Sequence, residues 1–210
     1  MPARRTARRK ERRMPILTAK VGTNADQFPD ILAMYVPPPA KILDMTYGKG
    51  VFWKNFIEDG SGYWVQRNDI DPDKGDCHYD FRDLPESWTG KFDAAVFDPP
   101  YKLTGTIQRP DQYGNKDGGW AKVGENYWQG IGQAYKVLRK EGILIVKCMD
   151  QVVSGKQAWL HLHVFDCADY YDMIAEDLFV MMRPNATPQP HETQKHAWKN
   201  HSFWWVFRKV

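Results

Sequence analysis

Apolar residues along this chain fall into short continuous runs that alternate with stretches of helical periodicity. The runs predict seven strands, at 40–45, 62–65, 76–80, 92–97, 143–146, 173–182 and 203–207. The periodic stretches predict helices at 30–36, 51–58, 126–140 and 157–171. Strands that alternate with helices favour right-handed crossovers and a mostly parallel sheet covered on both faces. Such sheets bind ligands beyond the carboxyl ends of their strands.

The length of 210 residues suits one domain. We expect that domain to span 15–210, after a disordered arm at 1–14, with a long loop at 101–124 that has no periodicity. Loops of more than ~12–15 residues in a compact domain are usually functional or disordered. No run approaches the ~18 apolar residues of a membrane span, and no apolar segment follows the basic N-terminus as in a secretory signal. A cytoplasmic protein without membrane contact is therefore the expectation.

Positive charge is concentrated at the N-terminus. Residues 1–13 carry seven basic side chains and one acidic one, a net charge of +6, whereas the rest of the chain carries −3. This arm lacks apolar periodicity, which predicts disorder. It either binds nucleic-acid phosphates without regard to sequence, or is a solubilising or mis-started N-terminus. The pattern does not separate these two interpretations.

The cysteines and histidines do not indicate a metal site. The three cysteines are scattered and form no C-x-x-C pair. Two local pairs, Cys77 with His78 and His161 with His163, lack the further partners that a four-ligand zinc site requires. We predict buried thiols, ordinary histidines and no metal.

A glycine-containing turn, with the sequence LDMTYGKG, follows the first predicted strand. Gly48 and Gly50 let the backbone turn tightly and approach a ligand closely. The turn is not a dinucleotide fingerprint, since Trp53 stands at the third glycine position, and it is not a phosphate loop, since no Ser or Thr follows Lys49. The acid that precedes it, Asp44, suits a ligand that carries an ammonium group.

Two more acids follow predicted strands. Asp69 lies 25 residues beyond Asp44 and can accept the hydroxyls of a ribose, or it forms a turn before Asp71. Asp80, followed by Phe81, can accept an amino group of a bound adenine. Taken singly, each is more typical of an ordinary turn. We expect Asp44, Asp69 and the acid after the fourth strand to converge on one edge of the sheet.

The fourth predicted strand ends in Asp98-Pro99-Pro100-Tyr101. Two consecutive prolines stiffen the backbone and remove two N–H groups, so the Pro99 carbonyl and the Asp98 carboxylate can act as paired acceptors. Such a pair suits an aromatic amino group, because accepting both hydrogens frees the nitrogen lone pair to attack. Tyr101 offers a ring on which a base can stack, worth ~1–3 kcal/mol.

Taken in order, these segments resemble the amino-group class of DNA methyltransferases, the N6-adenine and N4-cytosine family. The resemblance covers roughly residues 20–150 and rests on ILDMTYGKG, NDIDP, DFRDLP and FDAAVFDPPY. The C-terminal KNHSFWWVFRK is similar to the closing strand of that family. The resemblance implies an α/β, Rossmann-like class I S-adenosylmethionine-dependent methyltransferase fold. In that fold a mostly parallel seven-stranded sheet has an antiparallel C-terminal strand.

The same resemblance implies the cofactor and the site. The cofactor is S-adenosyl-L-methionine. The resemblance assigns its methionine part to Asp44, Gly48 and Gly50, its ribose to Asp69, and its adenine to Asp80 and Phe81. It assigns the catalytic pocket for the target base to Asp98, Pro99, Pro100 and Tyr101.

The sequence departs from the family pattern in three places. Met45-Thr46-Tyr47 replaces the usual centre of the glycine motif, and Lys49 precedes its second glycine. Ser202 stands where the family often has Glu. No segment is large enough for a separate target-recognition domain.

The implied function is methylation of adenine N6 in DNA by direct in-line transfer. Methylation of an RNA base is the first alternative, and N4-cytosine methylation the next, since cytosine enzymes more often carry Ser at the position of Asp98. Protein-glutamine methylation is disfavoured because that family carries Asn there. The intact DPPY motif argues against a different class of protein, one that binds nucleic acid without catalysis. The 101–124 loop is predicted to be either a lid or clamp on the nucleic-acid strand, or a surface insertion. The residues that suggest a lid or clamp are Lys102, Arg109, Lys116, Lys122, Tyr113 and Trp120. The oligomeric state is not indicated.

Overall fold

Seven strands form one sheet in the computed structural model, which describes residues 15–56, 60–101, 119–184 and 194–210. The strands are β1 (Ala19–Val21), β2 (Ala40–Asp44), β3 (Tyr63–Arg67), β4 (Phe92–Phe97), β5 (Leu138–Cys148), β8 (Ile174–Met182) and β9 (His201–Arg208). Two short strands, β6 (Gln151–Val153) and β7 (Lys156–Ala158), form a separate hairpin. The helices are α1 (Asn24–Tyr35), α2 (Gly119–Val137) and α3 (Leu160–Tyr170). The predicted arm and most of the 101–124 loop, with Lys102, Arg109, Tyr113 and Lys116, lie outside the described residues.

The strand order is β1-β8-β9-β5-β4-β2-β3. The strand β9 is antiparallel to both of its neighbours, β5 and β8, and every other pairing in the sheet is parallel. This arrangement confirms the predicted α/β fold with a mostly parallel sheet and an antiparallel C-terminal strand. The order reverses at β2 and β4, so their carboxyl ends mark the point at which such sheets bind ligands.

Helices cover both faces of the sheet. Side chains alternate along each strand, so successive residues pack against helices on opposite faces. Ala94 and Val96 of β4 pack in the cluster that contains α1, whereas Ala95 and Phe97 pack in the cluster that contains α2 and α3. The apolar runs of β4 and β5 are buried on both faces, which is typical of parallel strands. This double burial fixes the end of β4, and hence the position of the residues that follow it.

The predicted third strand at 76–80 was wrong. In the described chain this segment forms a single bridge, between Asn68 and Cys77. The buried Asn68 side chain accepts a hydrogen bond from the Tyr79 N–H at 2.9 Å and donates one to the Tyr79 carbonyl at 2.9 Å. A side chain thus satisfies backbone groups that a strand ladder would otherwise use. The seventh strand is instead β1, which pairs with β8 at the other edge and is too short and exposed to produce a periodic signal.

Several predicted boundaries were also wrong. The helix predicted at 51–58 is only a short 3₁₀ turn over Val51–Trp53 in the described part. The predicted loop ends earlier than 124, because α2 begins at Gly119 and includes Trp120 and Lys122. Residues 138–140 belong to β5 rather than to the preceding helix, and 157–158 belong to the hairpin rather than to α3. The helix α1 begins at Asn24, six residues before the prediction, where the Asp26 carboxylate accepts the Thr23 N–H at 2.9 Å and caps its first turn.

None of the helices in the described ranges has the length and apolar character that crossing a membrane requires.

Candidate active site

A cavity of about 430 Å³ opens at the carboxyl ends of β2, β3 and β4. Its size lies within the usual range for sites that bind small molecules. It is lined by Asn24, Met45, Thr46, Tyr47, Gly48, Lys49, Val51, Phe52, Asp69, Ile70, Tyr79, Phe81, Asp98, Pro99, Pro100 and Tyr101. The structure thus brings the glycine turn, Asp69, Phe81 and the whole DPPY segment to one cavity. Asp44 and Asp80 are not among the lining residues.

The glycine turn has the backbone conformation that its sequence requires. Gly48 and Gly50 have positive φ angles of 58° and 62°, which side chains rarely adopt. A Cβ atom at Gly50 would lie 2.5 Å from the Tyr47 hydroxyl, which also lines the cavity. The Gly48 N–H donates to Oδ2 of Asp69 at 2.7 Å. The turn is therefore held against the end of β3 and leaves room for a ligand above it.

Asp44 lies beneath the turn and is 1% exposed. Its carboxylate accepts hydrogen bonds from Nε1 of Trp53 at 2.7 Å and from the Thr46 N–H at 3.1 Å. Burial, helped by the charges of Asp98 and Asp69, raises the pKa of Asp44 to about 7 against the lowering effect of these two bonds. In the described structure Asp44 shapes the turn, and its contact with an ammonium group stays a prediction.

The raised pKa of Asp44 predicts a pH-dependent difference in stability between the wild type and Asp44→Asn. The folded state binds this proton up to about pH 7, whereas the unfolded chain releases it near the ordinary value of 3.8. The contribution of Asp44 to the free energy of unfolding therefore falls as pH rises between those two values, by up to about 1.4 kcal/mol per pH unit. Urea unfolding at several pH values should show the free energy of unfolding of Asp44→Asn improving relative to wild type over that window. A difference in unfolding free energy between the two proteins that does not change with pH would contradict the raised pKa of Asp44.

Asp69 and its neighbour Asn68 join the turn to the strand ends. Asp69 accepts the Gly48 N–H with one carboxylate oxygen and the Asp71 N–H with the other, at 2.7 and 2.9 Å. Asn68 is fully buried, and its amide donates to the Met45 carbonyl at 3.1 Å in addition to its bonds with Tyr79. Sequence reasoning missed Asn68, although an amide residue between the second strand and Asp69 was an available signal.

Asp80 is already paired in this structure. The Arg82 guanidinium donates to both of its carboxylate oxygens, with Nε at 2.9 Å from Oδ1 and Nη2 at 2.5 Å from Oδ2. These bonds lower the pKa of Asp80 against the opposing effect of burial. Phe81, by contrast, lines the cavity, together with Ile70 and Tyr79, which the sequence analysis did not single out. The two adjacent predicted residues thus have different environments.

The DPPY segment forms the opposite wall. The Asp98 N–H donates to Oγ1 of Thr46 at 2.9 Å, which ties this segment to the glycine turn. The Asp98 side chain is 22% exposed, and its Oδ1 atom has no hydrogen-bond partner among the described residues. Tyr101 is 8% exposed, and its carbonyl accepts a hydrogen bond from Gln151 of the β6–β7 hairpin. Part of the Asp98 side chain therefore reaches the cavity, while its unpartnered Oδ1 is shielded from solvent and Tyr101 is largely buried in the wall.

A buried lysine, which sequence reasoning missed, lies behind this segment. Lys147 is 4% exposed, and its Nζ donates to the Tyr101 hydroxyl at 3.0 Å and lies 3.7 Å from Oδ2 of Asp98. Burial alone would lower the pKa of Lys147, but Asp98 and Tyr101 raise it above its ordinary value. The available signal was a lysine inside the apolar run ILIVKC.

A second, more open groove of about 640 Å³ lies between α2, α3 and the end of the hairpin. Three tryptophans, Trp120, Trp128 and Trp159, contribute to its lining. It contains none of the strand-end acids, and the only sequence-predicted residue in its described lining is Trp120. We therefore assign the candidate chemistry to the smaller cavity.

Comparisons with known proteins show similarity of structure rather than of sequence. No protein-family model matches the chain, and no curated protein sequence is significantly similar to it. A similar solved structure is 1,6-didemethyltoxoflavin-N1-methyltransferase from Burkholderia thailandensis, with bound 1,6-didemethyltoxoflavin and S-adenosylhomocysteine. It is 15% identical, with a TM-score of 0.58, over 89% of this chain and 78% of that one.

Two further structures are similar. TrmN from Thermus thermophilus has 13% identity and a TM-score of 0.59, and the match covers 89% of this chain but only 49% of TrmN. A TehB-like S-adenosylmethionine-dependent methyltransferase from Corynebacterium glutamicum has 16% identity and a TM-score of 0.51, over 89% of this chain and 88% of that one. This protein therefore has the class I S-adenosylmethionine-dependent methyltransferase fold.

Proposed function

We propose that this protein is an S-adenosylmethionine-dependent methyltransferase that acts on an exocyclic amino group of a nucleic-acid base, with adenine N6 in DNA favoured. One observation carries the proposal. The Asp98 carboxylate lines the same cavity as the glycine turn, and one of its oxygens has no partner in the described chain. A buried polar atom without a partner is costly, and a hydrogen-bond donor on a bound substrate would relieve that cost.

The residues of the cavity fit the proposed cofactor. The turn at Gly48 and Gly50 borders the cavity at the carboxyl end of β2, where the methionine part would lie, and Asp69 lines it at the end of β3, where it would accept the ribose hydroxyls. Ile70 and Phe81 offer apolar surface for the adenine ring. Asp80 would need to leave Arg82 to reach the adenine, so Phe81 is the better supported contact of that pair. The S-adenosylhomocysteine bound to a protein of the same fold supports this placement.

The DPPY wall of the cavity offers hydrogen-bond acceptors to an amino group that is weakly nucleophilic. When bound, the cofactor supplies an activated methyl group on a sulfonium. In the proposed transfer Asp98 and the Pro99 carbonyl, which both belong to residues that line the cavity, would accept the two N–H bonds and direct the nitrogen lone pair towards the methyl carbon. A C–N bond would form as the S–C bond breaks, S-adenosylhomocysteine would leave, and the nitrogen would release one proton to solvent. Fixed acceptors of this kind act by positioning and by electrostatic stabilisation of the developing charge.

The proposed substrate must reach the cavity unpaired. An amino group inside a duplex is hydrogen-bonded, so the base has to leave the stack or come from a single strand. The preference for adenine over cytosine rests on the Asp at position 98, through the family resemblance. The same DPPY element occurs in RNA enzymes, which keeps RNA as the alternative substrate.

The direct test is product identification. The protein is incubated with labelled S-adenosylmethionine and adenine- or cytosine-containing DNA and RNA strands, and the modified nucleoside is identified by mass spectrometry. We expect N6-methyladenine from DNA, with no product from Asp98→Ala in parallel. Methylated RNA alone would select the alternative substrate. Saturable cofactor binding with no product on any strand would refute the enzymatic proposal, and no cofactor binding at all would support the interpretation of a pure nucleic-acid-binding protein.

Asp69→Ala is expected to weaken cofactor affinity by about 10–150-fold, which corresponds to the loss of one charge-assisted hydrogen bond. The substitution removes the proposed ribose acceptor and also releases the Gly48 N–H. Isothermal titration with S-adenosylhomocysteine measures the change. The matched control is Asp73→Ala, an exposed acid on the same turn that does not line the cavity. Equal affinities of the two variants would contradict the role of Asp69.

A further inference from the structure

Lys147 is a charged side chain in the interior of the sheet. It lies on β5, where it pairs with Trp204 of β9, and its ammonium group lies 5.8 Å from the centre of the buried Trp204 ring. Strand alternation places it on the same face as Ile143 and Ile145, which belong to the core cluster that includes α1. Burying a charge is expensive unless it is paired and hydrogen-bonded. The position therefore requires an explanation beyond packing.

The described partners of this ammonium group both belong to the DPPY segment. Its Nζ donates to the Tyr101 hydroxyl at 3.0 Å, lies 5.3 Å from the centre of the same ring, and lies 3.7 Å from Oδ2 of Asp98. One cation thus bridges the first and last residues of a four-residue segment that lines the cavity. Helix α2 also holds the backbone of this lysine, since the Tyr127 hydroxyl donates to the Lys147 carbonyl at 2.7 Å.

We propose that Lys147 is a positioning residue, whose ammonium group holds Tyr101 and Asp98 together and keeps the Asp98 carboxylate in its charged, accepting form. This inference rests on the proposed function for the identity of the reaction, because a carboxylate must be ionised to accept both substrate and lysine hydrogens. A neutral carboxyl group would carry a proton on one oxygen and could direct a donor at the substrate amino group.

The electrostatic surroundings show why a cation is needed there. Burial raises the pKa of Asp98 above its ordinary value, and the positive charge of Lys147, whose Nζ lies 3.7 Å from Oδ2, opposes that rise. Asp44 interacts with both Asp98 and Asp69 through like charges. The other titratable groups that interact with this pair are Tyr101, Tyr127, Cys148 and Arg183. Among the cationic groups of the residues that the structure describes, Lys147 is the one that lowers the pKa of Asp98.

The test compares Lys147→Met with Lys147→Arg by the pH dependence of kcat. The Met variant removes the charge and keeps a long side chain, so the acid limb of its profile should move to higher pH by about 1–3 units. Its activity should accordingly fall most at low pH and recover in part as pH rises. The Arg variant keeps the charge and should keep the acid limb close to that of the wild type, even if kcat itself falls.

The matched control is Lys209→Met. Lys209 also places its Nζ over an aromatic ring, Tyr135 at 4.3 Å, and donates to two backbone carbonyls, but its partners Tyr135 and Leu138 do not line the cavity, whereas Asp98 and Tyr101 do. Its replacement should change stability without moving the acid limb. An unchanged acid limb in Lys147→Met, or an equal displacement in Lys209→Met, would overturn the proposal.

A second measurement does not depend on methyl transfer. Carbon-13 NMR of aspartate carboxyl groups, with Asp98 assigned from Asp98→Asn, follows ionisation of Asp98 directly in the wild type. We expect this carboxyl group to be ionised at pH 7, and a neutral group at that pH overturns the proposal even if Lys147→Met does not fold. If the wild type methylates no nucleic acid, the proposed function fails, while the same titration compared between the wild type, Lys147→Arg and Lys147→Met still tests whether Lys147 keeps Asp98 ionised.

Discussion

Asp98→Ala is expected to lower the rate of methyl transfer by at least roughly 10²–10³-fold, the usual loss when a fixed transition-state contact is removed. The substitution removes the carboxylate that would accept an N–H of the substrate amino group. Cofactor affinity should change little, because the glycine turn, Asp69 and Phe81 lie on the other wall of the cavity. Single-turnover rates with excess enzyme, together with titration of S-adenosylhomocysteine, separate the two effects.

Two further variants sharpen this test. Asp98→Asn keeps one acceptor oxygen but adds an N–H donor, so its rate should lie between those of the wild type and Asp98→Ala. Asp93→Asn alters a carboxylate near the start of the same strand, where it accepts the Lys41 N–H and pairs with Arg139 far from the cavity. It should leave the rate near that of the wild type. Equal rates for Asp98→Ala and the wild type would refute the catalytic assignment.

Gly130→Ala is expected to destabilise the fold by about 1–3 kcal/mol, the usual cost of overpacking a core. A Cβ atom at this position of α2 would lie 2.1 Å from Cζ of Phe97, a fully buried ring of β4. Phe97 cannot move freely, because Phe81 and Tyr127 contact it with ring centroids 5.1 and 5.7 Å away. The loss is expected even though Ala is the better helix former by ~1 kcal/mol. Urea unfolding measures the change.

Gly132→Ala is the matched control on the same helix. Its Cβ would meet the hydroxyl end of Tyr171, a half-buried side chain that can move. Its free energy of unfolding should stay within about 1 kcal/mol of the wild type, since helix propensity offsets a small contact shift. A Gly130→Ala protein as stable as Gly132→Ala would show that α2 can move away from β4. Because Phe97 directly precedes Asp98, displacement of Phe97 should also lower activity.

The sequence-based predictions of the site differ in how well the structure supports their geometry. Asp69, Gly48, Gly50, Phe81 and the DPPY residues do line one cavity. The glycine turn, Asp69 and the DPPY segment do so because each follows a parallel strand and those strand ends meet at one edge, whereas Phe81 follows a segment that Asn68 holds through Tyr79. Asp44, at the end of β2, and Asp80, next to Phe81, are instead covered by Trp53 and Arg82. Position at a strand end predicts the neighbourhood of a side chain, whereas its partners depend on the surrounding packing.

Lys147 illustrates what a one-dimensional pattern cannot contain. Its partners lie 46 and 49 residues earlier in the chain, and only the parallel pairing of β4 with β5 brings them within reach. The run ILIVKC indicates a buried strand, but it does not indicate which anion neutralises the lysine. Asn68 is comparable, since its side chain replaces the strand predicted at 76–80 by satisfying the backbone of Tyr79.

The order of amino acids alone determined the α/β class, the mostly parallel sheet and the edge where ligands are expected, because apolar periodicity and turn-forming residues act over a few neighbours. Only the tertiary structure decided which strand completes the sheet, which acids face the cavity and which are neutralised beneath it. Those outcomes depend on contacts between distant segments, whose energies are set by burial and by the charges that packing brings together.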